Sequence, residues 1–275
     1  MTLALVGVRK FWTRSATIVS LVVAVLLVSL LIVLEGVGYR QAIAQGGVDP
    51  SSIEWVLTFP GAFDAVIALT FSFIGIISLI YIATAAGTEW SWGTLKVAVA
   101  RGQSRWKYTV STYASMAVIM VLGLVITFIA GVIAVFLGAS IAGLQVGNPF
   151  DAALLGRISL ELIRCAVALI SLGSVGYAVT MVAKSQMAGI GTVIGYFLAS
   201  LIGPAFLPDF VKEIFKYLPF SISSDAIGMQ GPPVHGVSSS ASLVDPNTAL
   251  LITVAWLVGL LAVAAVSVER TEIAG

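Results

Sequence analysis

The sequence is short of charge, cysteine and histidine. Charged residues fill 10% of its 275 positions, where a soluble domain carries about 25%. So few charges cannot cover a water-facing surface, which excludes an ordinary soluble fold and points to an integral membrane protein. The single cysteine, Cys165, excludes an intrachain disulfide. The single histidine, His235, excludes a histidine-pair metal site and the H-E-x-x-H motif. His235 lies in a stretch rich in Gly, Pro and Ser and reads as a solvated loop residue. No phosphate-binding loop of the form G-x-x-x-x-G-K-[ST] occurs, and no G-x-S-x-G turn. ATP hydrolysis, a catalytic residue, a metal site and a nucleic-acid partner are therefore not expected of this chain.

Hydrophobic residues make up 59% of the sequence and fall into long runs. A helix needs about 20 apolar residues to cross the hydrocarbon core. Six spans are predicted, at about 16–37, 64–86, 108–138, 157–183, 187–207 and 248–268, giving an all-α membrane protein of one domain over 1–275. The first run is longer than the roughly 7–15 apolar residues of a secretory signal, and it leads into Glu35, so it reads as a retained span. The third would extend about 45 Å at 1.5 Å per residue, so it tilts or projects beyond a core of roughly 30 Å. Before the first span, Arg9, Lys10 and Arg14 mix with Leu3, Leu5, Phe11 and Trp12. That is either an interfacial helix with Trp12 at headgroup level or a basic flank.

Positive charge sets the orientation. With the N-terminus inside, Arg9, Lys10, Arg14, Lys96, Arg101, Arg105, Lys107, Lys184 and Arg270 face the cytoplasm. The outer side receives Arg40, Arg157, Arg164, Lys212 and Lys216. Six spans then place both termini in the cytoplasm.

Few residues inside this frame suggest function. Gly191, Gly195, Ala199 and Gly203 recur every four positions along the fifth span. Small residues at that spacing let helices approach closely, either within one chain or at a seam between two. Glu161 and Arg164 share a helix face three residues apart. They read as an interfacial ion pair or as polar lining of an outer gate. Glu35 and Asp64, near outer span ends, are expected to be solvated, with a position facing a vestibule as the alternative. Residues 208–220 alternate Phe210, Val211, Ile214, Phe215 and Leu218 with Asp209, Lys212, Glu213 and Lys216, as an amphipathic helix on the outer surface would. The stretch 228–246 after it reads as an irregular loop, with a lid over an exit as the functional alternative.

Between spans two and three lies a charged island, residues 87–108, holding Glu89, Lys96, Arg101, Arg105 and Lys107. Within it Glu89 is followed by Gly93-Thr94-Leu95 and then by Ser104-Arg105. This spacing, together with six spans, inner termini and an outer amphipathic helix before the last span, resembles the ABC-2 type permeases, the membrane subunits of ATP-driven exporters. The chain departs from that pattern where span three opens: Ser111 and Thr112 stand where the family commonly has a lysine, and Lys107 comes earlier. The resemblance implies a cytoplasmic coupling helix at Glu89, Gly93, Thr94, Leu95, Lys96, Arg101, Ser104 and Arg105, seated on a separate ATPase. It implies two such ATPase subunits, which would bind the ATP and magnesium, and a second permease, identical or related. It further implies a bacterial plasma membrane location and outward movement of a drug, peptide or lipid. It favours the Gly191 to Gly203 face as a seam. Two rival readings need no exporter. A secondary transporter would show mid-span ionisable groups, which this sequence lacks. The other is a membrane scaffold or sensor subunit.

Overall fold

A computed structural model of the chain describes residues 2–45, 51–206, 208–228 and 244–270. His235 and most of the expected outer loop lie outside these residues. Among them the chain is helical. In order come α1 (Thr2–Trp12), α2 (Ser15–Gln45), α3 (Ser51–Leu57), α4 (Gly61–Ser91), α5 (Thr94–Ala100), α6 (Arg105–Ala142), α7 (Ala152–Ala183), α8 (Gln186–Phe206), α9 (Asp209–Phe215), α10 (Pro219–Ile227) and α11 (Pro246–Arg270).

Five of these, α2, α4, α6, α7 and α11, are long and apolar enough to cross a membrane. The sixth expected span corresponds to α8, whose apolar stretch Gln186–Ala199 is shorter. Most helices outrun their expected limits. α2 continues through Glu35 and Arg40, so the stretch read as the start of a loop is helix. α4 continues through Glu89 to Ser91, which puts the first part of the charged island on the end of a span. A charge does not end a helix where its side chain finds a partner.

α4 is the central mast. Of its most apolar stretch 72% is buried, against 17% for α11 and 22% for α2, which turn most of their surface outward. α2 lies along α6 and also touches α4, while α7 is surrounded by α4, α6, α8, α10 and α11. The α2–α6 crossing is closest at Gly36 and Gly138. A Cβ on Gly36 would run into the Gly138 backbone, so backbone meets backbone where only glycine permits it.

Two expected surface elements are anchored instead. α1 packs against α6, with Phe11 1% exposed. The outer amphipathic helix expected over 208–220 is the shorter α9, and a further helix, α10, follows it. In α10, Pro219, Ile222, Ser223, Ala226 and Ile227 are buried against α7, α8 and α11. Their spacing gives one continuous helical face, which wedges between the spans. The Phe220 N–H donates to Tyr196 Oη on α8 and Trp256 Nε1 on α11 donates to the Tyr217 carbonyl, both at 3.0 Å. Ten residues separate Trp256 from the start of α11, about 15 Å at 1.5 Å per residue, so this segment sits well below the helix end. On α9 the Glu213 carboxylate is bonded to Lys216 and holds its ammonium above the usual lysine range.

Candidate functional site

The charged island folds as a corner. α4 closes on Trp92, and Gly93 follows in the left-handed region at φ 66°, which turns the chain into the seven residues of α5. Gly102, at φ 82°, turns it out again, and Ser104 precedes the first residue of α6 in extended conformation. Positive φ at these two positions is why glycine stands there.

Glu89 fixes this corner, and from beneath: it is 1% exposed. Its Oε1 accepts from Lys10 Nζ at 2.7 Å and from Arg14 Nη2 at 3.4 Å. Its Oε2 accepts from Thr94 Oγ1 at 2.5 Å and from Tyr108 Oη at 2.6 Å. One carboxylate thus joins α1, the residue before α2, α5 and α6. Charge-assisted bonds of this kind are about twice as strong as neutral ones. Arg14 also donates to Thr88 Oγ1 at 3.1 Å, and its guanidinium lies over the Phe11 ring, 4.8 Å from the centroid. Leu95, 4% exposed, pins the underside of α5 to the core.

This arrangement divides the eight residues expected to meet a partner. Glu89 and Leu95 are buried inside the chain and build the corner, while the half-buried Thr94 is bonded to Glu89 and also lines the hollow beside α5. Gly93 makes the turn. Arg105 donates to the Glu269 carbonyl at 3.0 Å and so ties α6 to the end of α11. Lys96, Arg101 and Ser104 face outward. With them stand Trp92, 69% exposed, and Val97, 51% exposed, and also Lys107. The outer surface of the corner is therefore basic and aromatic. A hollow of about 180 Å³ beside it is lined by Thr94, Val97, Ala98, Arg101, Gln103 and Tyr108. Lys10, Arg14 and Tyr108 were not singled out from sequence. The available signal was one acid, Glu89, in a basic island, with two cations spaced i, i+4 near the N-terminus.

The small-residue face of α8 points away from the chain. Gly191, Gly195 and Ala199 are exposed, and a Cβ on Gly191 or Gly195 would meet nothing within 4 Å. Packing within the chain uses the opposite face, where Val193 is 3% exposed and Gly189 lies against Thr180 and Ala83. Close packing inside one chain therefore does not explain Gly191 and Gly195. The surroundings of Gly203 lie outside the described residues.

At the end of α4 away from α5, Glu161 and Arg164 do not pair with each other. Glu161 faces Arg157, with Oε1 3.6 Å from Nε, while Arg164 donates to Asn247 Oδ1 at 2.7 Å. Asp64, expected to be solvated, is 4% exposed and accepts from Arg157 at 3.2 Å on both oxygens. The missed residue is Arg157, which lies i−4 from Glu161 on α7 and displaces Arg164 as its partner. Among the described residues no group of three His, Cys, Asp or Glu could hold a metal ion.

A comparison with curated proteins found no match. Residues 51–269, from the first residue of α3 to the penultimate residue of α11, match the family described as protein of unknown function (DUF2705), and the chain belongs to that family.

Proposed function

We propose that the chain is the membrane permease of an ATP-driven exporter, working with a separate ATPase. The observation that carries this reading is the α5 corner. Its inner side is locked by Glu89 and Leu95 to three other helices, while its outer side offers Lys96, Val97, Arg101 and Trp92. A short helix so rooted moves as a rigid body with the spans that hold it, which is what transmission from a nucleotide-driven partner requires. The apolar and aromatic residues suit a cleft, and the cations suit an acidic rim.

In this reading α2, α4, α6, α7, α8 and α11 are the six spans, and the α5 corner and both termini are cytoplasmic. Two copies, or one copy and a relative, meet along the open small-residue face of α8. Each carries one ATPase, which supplies the ATP and magnesium sites. A hydrophobic or amphipathic substrate, such as a drug, peptide or lipid, enters between the permeases from the inner side. ATP binding closes that side and drives release outward.

The test is recovery of tagged chain from its native membrane in mild detergent. A stoichiometric co-eluting ATPase with a phosphate-binding loop is expected. Lys96→Glu combined with Arg101→Glu should reduce its recovery at least tenfold while leaving membrane insertion intact, since both side chains point away from the chain. A clean preparation without an ATPase counts against the proposal.

A further inference from the structure

Two buried carboxylates and one half-buried guanidinium meet where α4 packs on α7, at the end opposite α5. Asp64 is 4% exposed and Glu161 5%. Arg157 bonds both oxygens of Asp64 at 3.2 Å and stands 3.6 Å from Glu161 Oε1. The one guanidinium thus holds the two carboxyl groups side by side. Arg164, three residues along α7 from Glu161, is the remaining nearby cation, and it is turned to Asn247. Of the other helices packed at this end, α2 brings the half-buried Glu35 and the exposed Arg40. α8, α11 as far as Val268, and α6 from Tyr108 onward carry no ionisable acid or base other than tyrosine. α10 brings only the half-buried Asp225, while Asp151 before α7 and Glu54 on α3 are exposed acids.

Two independent features then point the same way. Two buried carboxylates share one contacting guanidinium, while the second guanidinium nearby, Arg164, is turned to Asn247. Separately, Glu161 Oε2 is buried and has no hydrogen-bond donor. Neither arginine supplies it, and Arg157 Nε and Arg164 Nε are themselves buried without an acceptor. A buried ionised oxygen without a donor is costly, and two close carboxylates resist ionising together. One proton removes both faults. A metal ion does not suit the site equally well, since hard cations take six or more oxygen ligands and no third acid joins this pair.

We propose that Asp64 and Glu161 form a proton-binding site, with one proton held between the two carboxyl groups and Arg157 balancing the charge that remains. The acid O–H of one group donates to the other carboxylate, and the proton belongs to the pair. The proton thereby joins α4 to α7. Its loss at higher pH leaves repelling charges in that contact, so stability falls as pH rises.

Infrared spectroscopy of the purified full chain in lipid, titrated with pH in H2O and D2O, tests this. The expected result is a protonated carboxyl C=O band at neutral pH that shifts in D2O. The band should vanish in Glu161→Gln and in Asp64→Asn, because either variant leaves one carboxylate to one guanidinium. Melting temperature should fall with rising pH in the parent chain and stay level in Glu161→Gln. Absence of the band in the parent chain overturns the proposal, and needs no variant to fold. Persistence of the band in Glu161→Gln assigns it to another acid and also overturns it. Persistence in Asp64→Asn does so too, since burial of Glu161 alone would then hold the proton. A melting temperature that follows sodium when choline replaces it, with no carboxyl band, would identify a bound cation in place of the proton.

Discussion

At the scale of single residues, Glu89 governs the α5 corner through bonds that differ in exposure. Its own side chain is 2% exposed, Arg14 is 18% and Lys10 is 37%. Removing one member of a buried, hydrogen-bonded charge set leaves the others unpaired. Glu89→Gln should therefore cost about 1–3 kcal/mol, read as a lower unfolding temperature of the purified chain. Lys10→Met should cost less, because a partly exposed pair gains little in water, about 0–1 kcal/mol. Equal losses from the two changes would show that Glu89 acts through Lys10 alone. The combined variant should lose less than the sum, since the two share one bond. The sequence announced Glu89 as a member of a charged island but not that it turns inward. Burial of a charge depends on donors from other elements. Here they are Lys10, 79 residues away, and Tyr108, 19 residues away.

Among whole elements, α8 and α10 differ most from what periodicity conveyed. The four-residue repeat of Gly191, Gly195 and Ala199 was visible, but spacing does not say whether the neighbour is in the same chain. The structure leaves that face open. A cysteine placed at Gly195 should cross-link two copies of the chain in the membrane under mild oxidation, and one placed at buried Val193 should not. Native Cys165 is 0% exposed and will not compete. Absence of a cross-link at Gly195 and at Gly191 alike would make the face a lipid-facing surface. α10 begins where the amphipathic stretch 208–220 was expected to end, and its helix was not read from the sequence. A surface helix and a wedged helix have the same pattern. What distinguishes α10 is the fit of Ile222 and Ala226 against Ala249 of α11, a contact between segments far apart in sequence.

Over the whole molecule, the number of crossings can be argued from contacts that tie segments to one end or the other. Gly87 of α4 meets Gln186 at the start of α8, close to the α5 corner. Arg164 of α7 meets Asn247 at the start of α11, at the opposite end. The chain between Gln186 and Asn247 therefore travels from one end to the other, although α8 has a shorter apolar stretch than the other spans. α11 then returns, since Arg105 meets Glu269 beside the corner. The long apolar runs made the spans legible, because nothing else satisfies twenty apolar residues in a lipid core. That α8 joins the two ends of the molecule rests on these contacts as much as on hydropathy. It has a direct consequence for labelling. A cysteine at Phe150, 80% exposed in the α6–α7 connection, and one at Asp245 should both react with an impermeant maleimide added outside intact cells. Cysteines at Ser104 and at Arg270 should react only after permeabilisation. Asp245 and Arg270 lying on one side would remove the last crossing, and reaction at Ser104 from outside would invert the molecule. In the inverted case the α5 corner would face away from any cytoplasmic ATPase, so this labelling decides the exporter reading together with the topology.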